Sequence, residues 1–185
     1  MRPLEAIGIA WIVWVISWAG AAVWSNPTVK RAASREERIA RLIIPVGAIL
    51  IAVGSTPETS VTGSGGWACF AAVLAGLGFA WWGRLYLGPL WSARVRRAEG
   101  HHVVTIGPYA VVRHPIYAGV MTAIVATALV EWRWPAILGA IIIAFSFWLR
   151  ARVEEKFLRD ELGRDTYDIY ARRVPMLIPF WPRTG

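Results

Sequence analysis

The chain has 185 residues, enough for one domain, of which 56% are hydrophobic and 17% charged, and its mean hydropathy is +0.46. A soluble domain of this size would expose too much apolar surface with that balance, so the composition excludes an ordinary soluble globule and indicates a membrane protein. The formal net charge of +8 is equally selective, because its placement excludes a nucleic-acid reader: the cations sit in short runs between apolar stretches, without aromatic interleaving.

In chain order, the first apolar run, from about Leu4 to Trp24, is long enough to cross the hydrocarbon of a bilayer at 1.5 Å per residue. It is too long, and lacks the small-residue cleavage site, for a secretory signal peptide. Lys30, Arg31, Arg35 and Arg38 follow it. The second run extends from about Ile39 to Ser55, with Pro45 as the expected kink. "STPETSVTGSGG" is then a polar, turn-rich loop with no Lys or Arg. The third run, about Trp67 to Trp91, is interrupted near its end by Arg84 and closed by "GPLW", since proline after glycine does not readily extend a helix. A non-spanning connector from Ser92 to Pro115 is rich in Arg, Gly and Pro. Two further apolar runs, about Ile116 to Val130 and Trp134 to Leu149, are separated by "EWR" and predict a helical hairpin. The chain closes with an amphipathic helix from Arg150 to Arg173, broken near Gly163, and an apolar, proline-punctuated tail, "VPMLIPFWP".

The basic runs against the uncharged-to-acidic 55–66 loop make a positive-inside pattern. They place the N-terminus outside and put loop one, the connector and the C-terminal helix on the cytoplasmic side, in contact with anionic headgroups. The expected architecture is therefore an all-α integral membrane protein of about five embedded helical segments in a single domain. Its oligomeric state is left open. Twelve tryptophans and five tyrosines suit the interfacial belts. Cys69, the single cysteine, lies in an apolar run and has no partner for an internal disulfide. No metal site is expected, because His101 and His102 are adjacent, His114 is distant, and no Cys/His cluster has ligand spacing.

Polar groups at membrane depth are costly and mark function, and they concentrate in two places: 101–117 and 150–155. Arg150 and Glu154 are i and i+4 on one helix face. Each element also has an ordinary explanation. An i,i+4 Arg/Glu pair is commonly a solvated helix-face pair worth a few tenths of a kcal/mol. Pro115 is suited to the first position of a helix, Arg113 to a cationic anchor, and Tyr117 to an interfacial belt.

The ordered combination is more specific. "GPYAVVRHPIYAG", two apolar helices, "RARVEE" and "LGRDTYDIYARRVPMLIPF" together resemble the isoprenylcysteine carboxyl methyltransferase family, which is related to the membrane phospholipid N-methyltransferases. The resemblance covers roughly Gly78 to Phe180, a catalytic core at 78–180. It leaves the spans of 1–77 without an assigned role. It implies a site for S-adenosyl-L-methionine (SAM) built from the cytoplasmic connector and the C-terminal helix, and no strand-GxGxxG-helix unit contradicts this. Position by position, it implies cofactor contacts at His101, His102, Val103, Val104, Tyr109, His114, Pro115, Ile116, Tyr117 and Glu154. It assigns Arg150 to the carboxylate of the substrate, with Arg150 and Glu154 as the catalytic pair. The chemistry agrees with the resemblance. A sulfonium and an α-ammonium suit a carboxylate and aromatic faces, and an ionised acceptor carboxylate needs orientation rather than a base.

The implied activity is methyl transfer to a lipid-borne acceptor, most closely a prenylcysteine-type carboxylate. Phospholipid amine methylation, for which His114 or Glu155 would serve as base, and methylation of a small thiol are the alternatives. A non-enzymatic membrane scaffold is the reading in a different class.

Overall fold

The computed structural model describes residues 1–21, 23, 28–31, 34–53, 60–91, 96–98, 104–162 and 164–180. Among the described residues six α-helices carry the fold: α1 (Pro3–Ala21), α2 (Arg35–Ala52), α3 (Gly63–Leu87), α4 (Pro115–Glu131), α5 (Trp134–Leu162) and α6 (Arg164–Arg173). One feature has no counterpart in the expectation of an all-α chain. Two short strands, β1 (Thr28–Arg31) and β2 (Arg96–Ala98), pair antiparallel and join loop one to the connector.

Local signals explain the helix limits. Ser34 caps α2 by accepting the backbone N–H of Glu37 at 3.0 Å, and Glu36 and Glu37 occupy its first turn, where carboxylates meet the positive end of the helix dipole. At the end of α3, Gly88 adopts φ 54°, a left-handed value that favours glycine, and Pro89 continues into a single 3-10 turn. Pro115 opens α4 at its first positions, where its missing N–H costs no helical bond. Trp132, at φ 47°, turns the chain into α5.

Three of these helices are long and apolar enough to cross a bilayer: α1, α3 with its 3-10 extension, and α5. The fourth expected segment is an apolar helix of shorter length, α4. The second begins one turn earlier than its hydropathy indicated, at Arg35, because the charged sequence "REER" is capped into the same helix. α5 runs without interruption from the apolar run through Arg150 and Glu154 to Leu162, and α6 begins at Arg164; Gly163, near which a break is expected, lies outside the described residues.

Small residues set the packing. A Cβ on Gly76 would lie 2.5 Å from Gly119 O and 2.9 Å from Ala123 N, so α3 and α4 cross backbone to backbone. Gly47 and Gly139 do the same for α2 and α5. Around these crossings Ala80, Val120, Ile124, Ala128, Ala136, Ala140 and Ile143 make one buried cluster. Trp11 reaches from α1 to donate its indole N–H to Thr127 Oγ1 on α4 at 3.0 Å. Close approach of this kind is how helices gain dispersion where the surroundings are as apolar as the side chains.

The arrangement brings specific helix ends together. At one end, Arg84 donates to Ala21 O at 2.7 Å and to Gly88 O at 2.6 Å, and Ser146 donates to Ala40 O at 2.6 Å. At the other, Val61 N–H bonds to Val130 O at 2.7 Å. The first end therefore holds the close of α1 and α3, the start of α4 and the emergence of α5. These are the ends from which loop one, the connector and the C-terminal helix depart.

Candidate functional site at the basic end of the bundle

The site grows from the residues that enclose Tyr117. Pro115 fixes the start of α4, and this projects Tyr117 toward α5. There its hydroxyl donates to Glu154 Oε2 at 3.0 Å. One helical turn earlier on α5, the Arg150 guanidinium lies over the Tyr117 ring, 5.6 Å from its centroid. The i,i+4 pair thus brackets one aromatic residue from a single helix face. His114 stacks on Tyr117 with centroids 5.5 Å apart and planes 7° from parallel, and Phe147 also stacks on Tyr117, at 5.2 Å. Three aromatic faces, a cation and a carboxylate meet at this point, and the Glu154 side chain keeps 31% of its surface open.

Behind this front is a buried ionic layer. Glu155 is 3% exposed. Its Oε1 accepts Arg113 Nε at 2.6 Å and lies 3.2 Å from His114 Nε2. Since an ionised carboxylate only accepts, His114 Nε2 is the donor in that contact. This leaves His114 Nδ1 facing Glu154 Oε2 at 3.7 Å. Arg113, 4% exposed, spends a second nitrogen on the carbonyls of Ala171 and Val174, each at 2.7 Å. Arg159 closes the layer, 3.6 Å from Glu155 Oε2 and 2.7 Å from Asp168. A buried charge is tolerated when paired and hydrogen-bonded, and Glu155 has Arg113 and His114 as hydrogen-bond partners with Arg159 as a further cation beside it.

The tail completes the enclosure. Arg113 N–H bonds to Pro175 O at 2.9 Å and His114 N–H to Met176 O at 3.1 Å, so "VPM" lies alongside "RHP" and satisfies the backbone ahead of α4. Tyr167, Tyr170, Ala171 and Val174 form a small core of their own with Leu158. Tyr170 donates to Tyr109 O at 2.6 Å. Burial raises the Tyr170 hydroxyl above its ordinary range, which keeps it protonated and a donor. Burial raises Tyr109 as well, with the Glu154 carboxylate adding to the effect. On the other flank Gly107, at φ 60°, receives the Tyr86 ring where a Cβ would stand. The 3-10 turn Gly107–Ala110 is thereby held between α3 and α6.

Of the residues singled out in the sequence, the structure brings together Tyr109, His114, Pro115, Tyr117, Arg150 and Glu154. Ile116 packs toward Gly83 of α3, and Val104 is half-buried at the start of the described connector. His101, His102 and Val103 lie outside the described residues. Arg113, for which an ordinary cationic anchor at a helix start was one reading, precedes α4 and is a buried cross-link from Glu155 of α5 to Ala171 and Val174. Phe147 and Tyr170 were not among the sequence-derived contacts, and Glu155 was named only as a base for an amine acceptor. The doubled glutamate was visible, but its division of labour was not, because neighbours on a helix point 100° apart and only packing shows where each goes. Among the described residues no group of three His, Cys, Asp or Glu has the geometry to hold a metal ion. An apolar cleft of about 400 Å³ between α1 and α3, reached by Trp14, Leu77 and Trp81, includes none of the cluster residues.

Fold and site together define a helical protein with helices of membrane-crossing length and a polar aromatic cluster at one end. The profile of the isoprenylcysteine carboxyl methyltransferase family matches residues 68–160, and the chain belongs to that family. The match includes α4 and Arg150 to Glu155. Protein-S-isoprenylcysteine O-methyltransferase B of Arabidopsis thaliana is 38% identical over 88 residues, which are 47% of this chain and 44% of that protein. Protein-S-isoprenylcysteine O-methyltransferase of Schizosaccharomyces pombe is 33% identical over 88 residues, 47% of this chain and 37% of that protein. A probable protein-S-isoprenylcysteine O-methyltransferase of rice (Oryza sativa subsp. indica) is 31% identical over 88 residues, 47% of this chain and 46% of that protein. The matched segment thus spans less than half the length of these relatives.

Proposed function

We propose that the chain is an integral membrane methyltransferase that uses SAM and methylates the carboxylate of a lipid-borne, prenylcysteine-type acceptor at the cytoplasmic face. The observation that carries this reading is the bracketing of Tyr117 by Glu154 and Arg150. It places a carboxylate and a guanidinium, with three aromatic faces, at the end of the bundle where the basic segments leave it.

The donor set fits SAM. Its methyl is carried on a sulfonium and is electrophilic, which is the chemistry it supplies when bound. Glu154, hydrogen-bonded by Tyr117 but partly open, would receive the α-ammonium. His114, Tyr117 and Phe147 offer ring faces that favour a cation or a planar base. Pro108 and Pro115 stiffen the backbone on either side of the 107–114 wall, so that its shape is set before binding.

Arg150 would hold the acceptor carboxylate by two parallel N–H···O bonds. A carboxylate is already ionised at neutral pH, so its oxygen needs alignment and no proton acceptor. Glu155 supports this choice over an amine acceptor. It is enclosed by Arg113, His114 and Arg159, a place for an anchor rather than for a base that must meet substrate. An apolar tail on the acceptor would favour approach from the bilayer, since the polar cluster sits at the ends of apolar helices α4 and α5.

Membranes from cells expressing the chain, supplied with SAM labelled on its methyl group and a prenylcysteine analogue, test the proposal. The expected product is a methyl ester, whose label is released as methanol by alkali. Label held stably in phosphatidylethanolamine would overturn the carboxylate reading in favour of amine methylation. No transfer to either, with SAM binding retained, would overturn both.

A further inference from the structure

We infer that the C-terminal tail is a membrane-interface anchor: residues 169–180 dock on the anionic cytoplasmic leaflet, with Ile178 and Phe180 inserted among the headgroups. This rests on the reading that the helices cross a bilayer and is independent of the chemistry proposed for the site.

The tail has two sides with opposite characters. Its inner side belongs to the bundle, through Val174, the carbonyls of Pro175 and Met176, and the Arg113 bonds to Ala171 and Val174. Its outer side leaves large apolar groups open. Ile178 is 52% and Phe180 100% exposed, and Ile169, on the α6 face turned away from Tyr167 and Tyr170, is 46% exposed. Arg172 and Arg173, one turn beyond Ile169, are exposed too. Apolar side chains next to arginines at a helix end are the composition of an interfacial anchor on an anionic surface.

The height of the tail selects the bilayer as occupant. Its backbone is bonded to Arg113 and His114, the residues immediately before apolar α4 begins. On α5 that level is marked by Glu155, which meets Arg113 and His114, and about two turns back toward the apolar part of the helix, on the order of 10 Å, stands Trp148, 40% exposed, with the Arg152 guanidinium 5.2 Å from its ring centroid. An exposed tryptophan under an arginine is what an apolar helix presents as it passes from hydrocarbon to headgroup. The tail therefore projects at the boundary where apolar side chains have lipid beside them and the arginines have phosphate.

A fluorescence experiment on the full chain in bilayer nanodiscs tests this. In a Cys69→Ala background, Ile178→Cys and, separately, Asp160→Cys carry an environment-sensitive NBD label. The discs contain phosphatidylcholine alone or with phosphatidylglycerol, and nitroxide-bearing lipids act as quenchers. Position 178 is expected to emit to the blue of position 160, to be quenched more by a nitroxide near the headgroup than by one at the chain end, and to shift further with phosphatidylglycerol. Arg172→Gln with Arg173→Gln should abolish that last shift.

Water-like, unquenched emission at 178 would overturn the inference. So would blue emission that lipid nitroxides fail to quench, which would mean cover by a second copy or another protein. An unchanged spectrum on adding phosphatidylglycerol would overturn the anionic preference. Cys69, labelled in the otherwise unaltered chain, reports on α3. Quenching there but not at 178 removes the anchor alone, and quenching at neither removes the membrane reading on which it rests.

Discussion

Glu154 Oε2 accepts the Tyr117 hydroxyl and faces His114 Nδ1, and its side chain is partly open, so its charge is available to a ligand. Glu154→Gln keeps the shape and removes that charge. SAM affinity measured by calorimetry should fall by about tenfold to a hundredfold, the equivalent of ~1.5–3 kcal/mol for a lost charge-assisted bond, while the melting point changes little. Glu155→Gln should do the reverse. It leaves Arg113 buried without its counter-charge, and breaking such a pair costs about 3–5 kcal/mol, so the loss should appear in thermal unfolding in detergent. If Glu155→Gln melts like the parent, the buried layer does not hold the tail. Arg150 differs from both, since its guanidinium lies over a ring at the front of the cluster. Arg150→Ala should raise KM for the acceptor or lower turnover, with SAM binding nearly intact. Arg150→Lys should recover only part, because an ammonium lacks the planar fork. Loss of SAM binding in Arg150→Ala would move the arginine to the cofactor side.

Helix crossings hold the cluster in place, and Gly119 shows how. It closes the stretch "GPYAVVRHPIYAG" and lies where α4 meets α3, and a Cβ there would stand 2.6 Å from Ala80 N. Backbone cannot step aside as a side chain can. Gly119→Val should therefore force α3 and α4 apart at a cost of about 1–3 kcal/mol or more, seen as a lowered melting point. Because Tyr117 is two residues away on the same helix, weaker SAM binding should accompany it. Gly78→Ala, at a position with nothing within 4 Å of the added Cβ, is the matching control and should melt like the parent. The two glycines bounding that stretch thus have different duties. Gly119 permits a helix crossing, and Gly107 takes a left-handed turn beneath Tyr86.

Across the whole molecule, the cluster and the departure points of the basic segments share one end of the bundle, and the 61–62 and 131–134 turns share the other. Under the proposed membrane reading, the positive-inside rule would orient the cluster toward the cytoplasm. In a Cys69→Ala background, Ser64→Cys and Arg172→Cys, both at exposed positions, should react with a membrane-impermeant thiol reagent from opposite sides of sealed vesicles. Reaction from the same side would reject this orientation.

Composition and hydropathy alone determined the helical, membrane-type class, the start of α1, the limits of α4 and the apolar part of α5, and the proline start at Pro115. Each depends on local periodicity, capping chemistry or transfer energy, which a sequence carries in full. The ordered RHPIY, RARVEE and VPMLIP segments also disclosed the family and the Arg150–Glu154 face. Tertiary structure alone decided that Glu155 binds Arg113 and His114 while Glu154 faces Tyr117, that Phe147 extends the aromatic stack, and that the tail runs beside "RHP". These contacts join residues tens of positions apart, and adjacent side chains on one helix diverge toward different partners. Their pairing is fixed only once α3, α4, α5 and α6 have closed on one another and burial has forced every charge to find its counterpart.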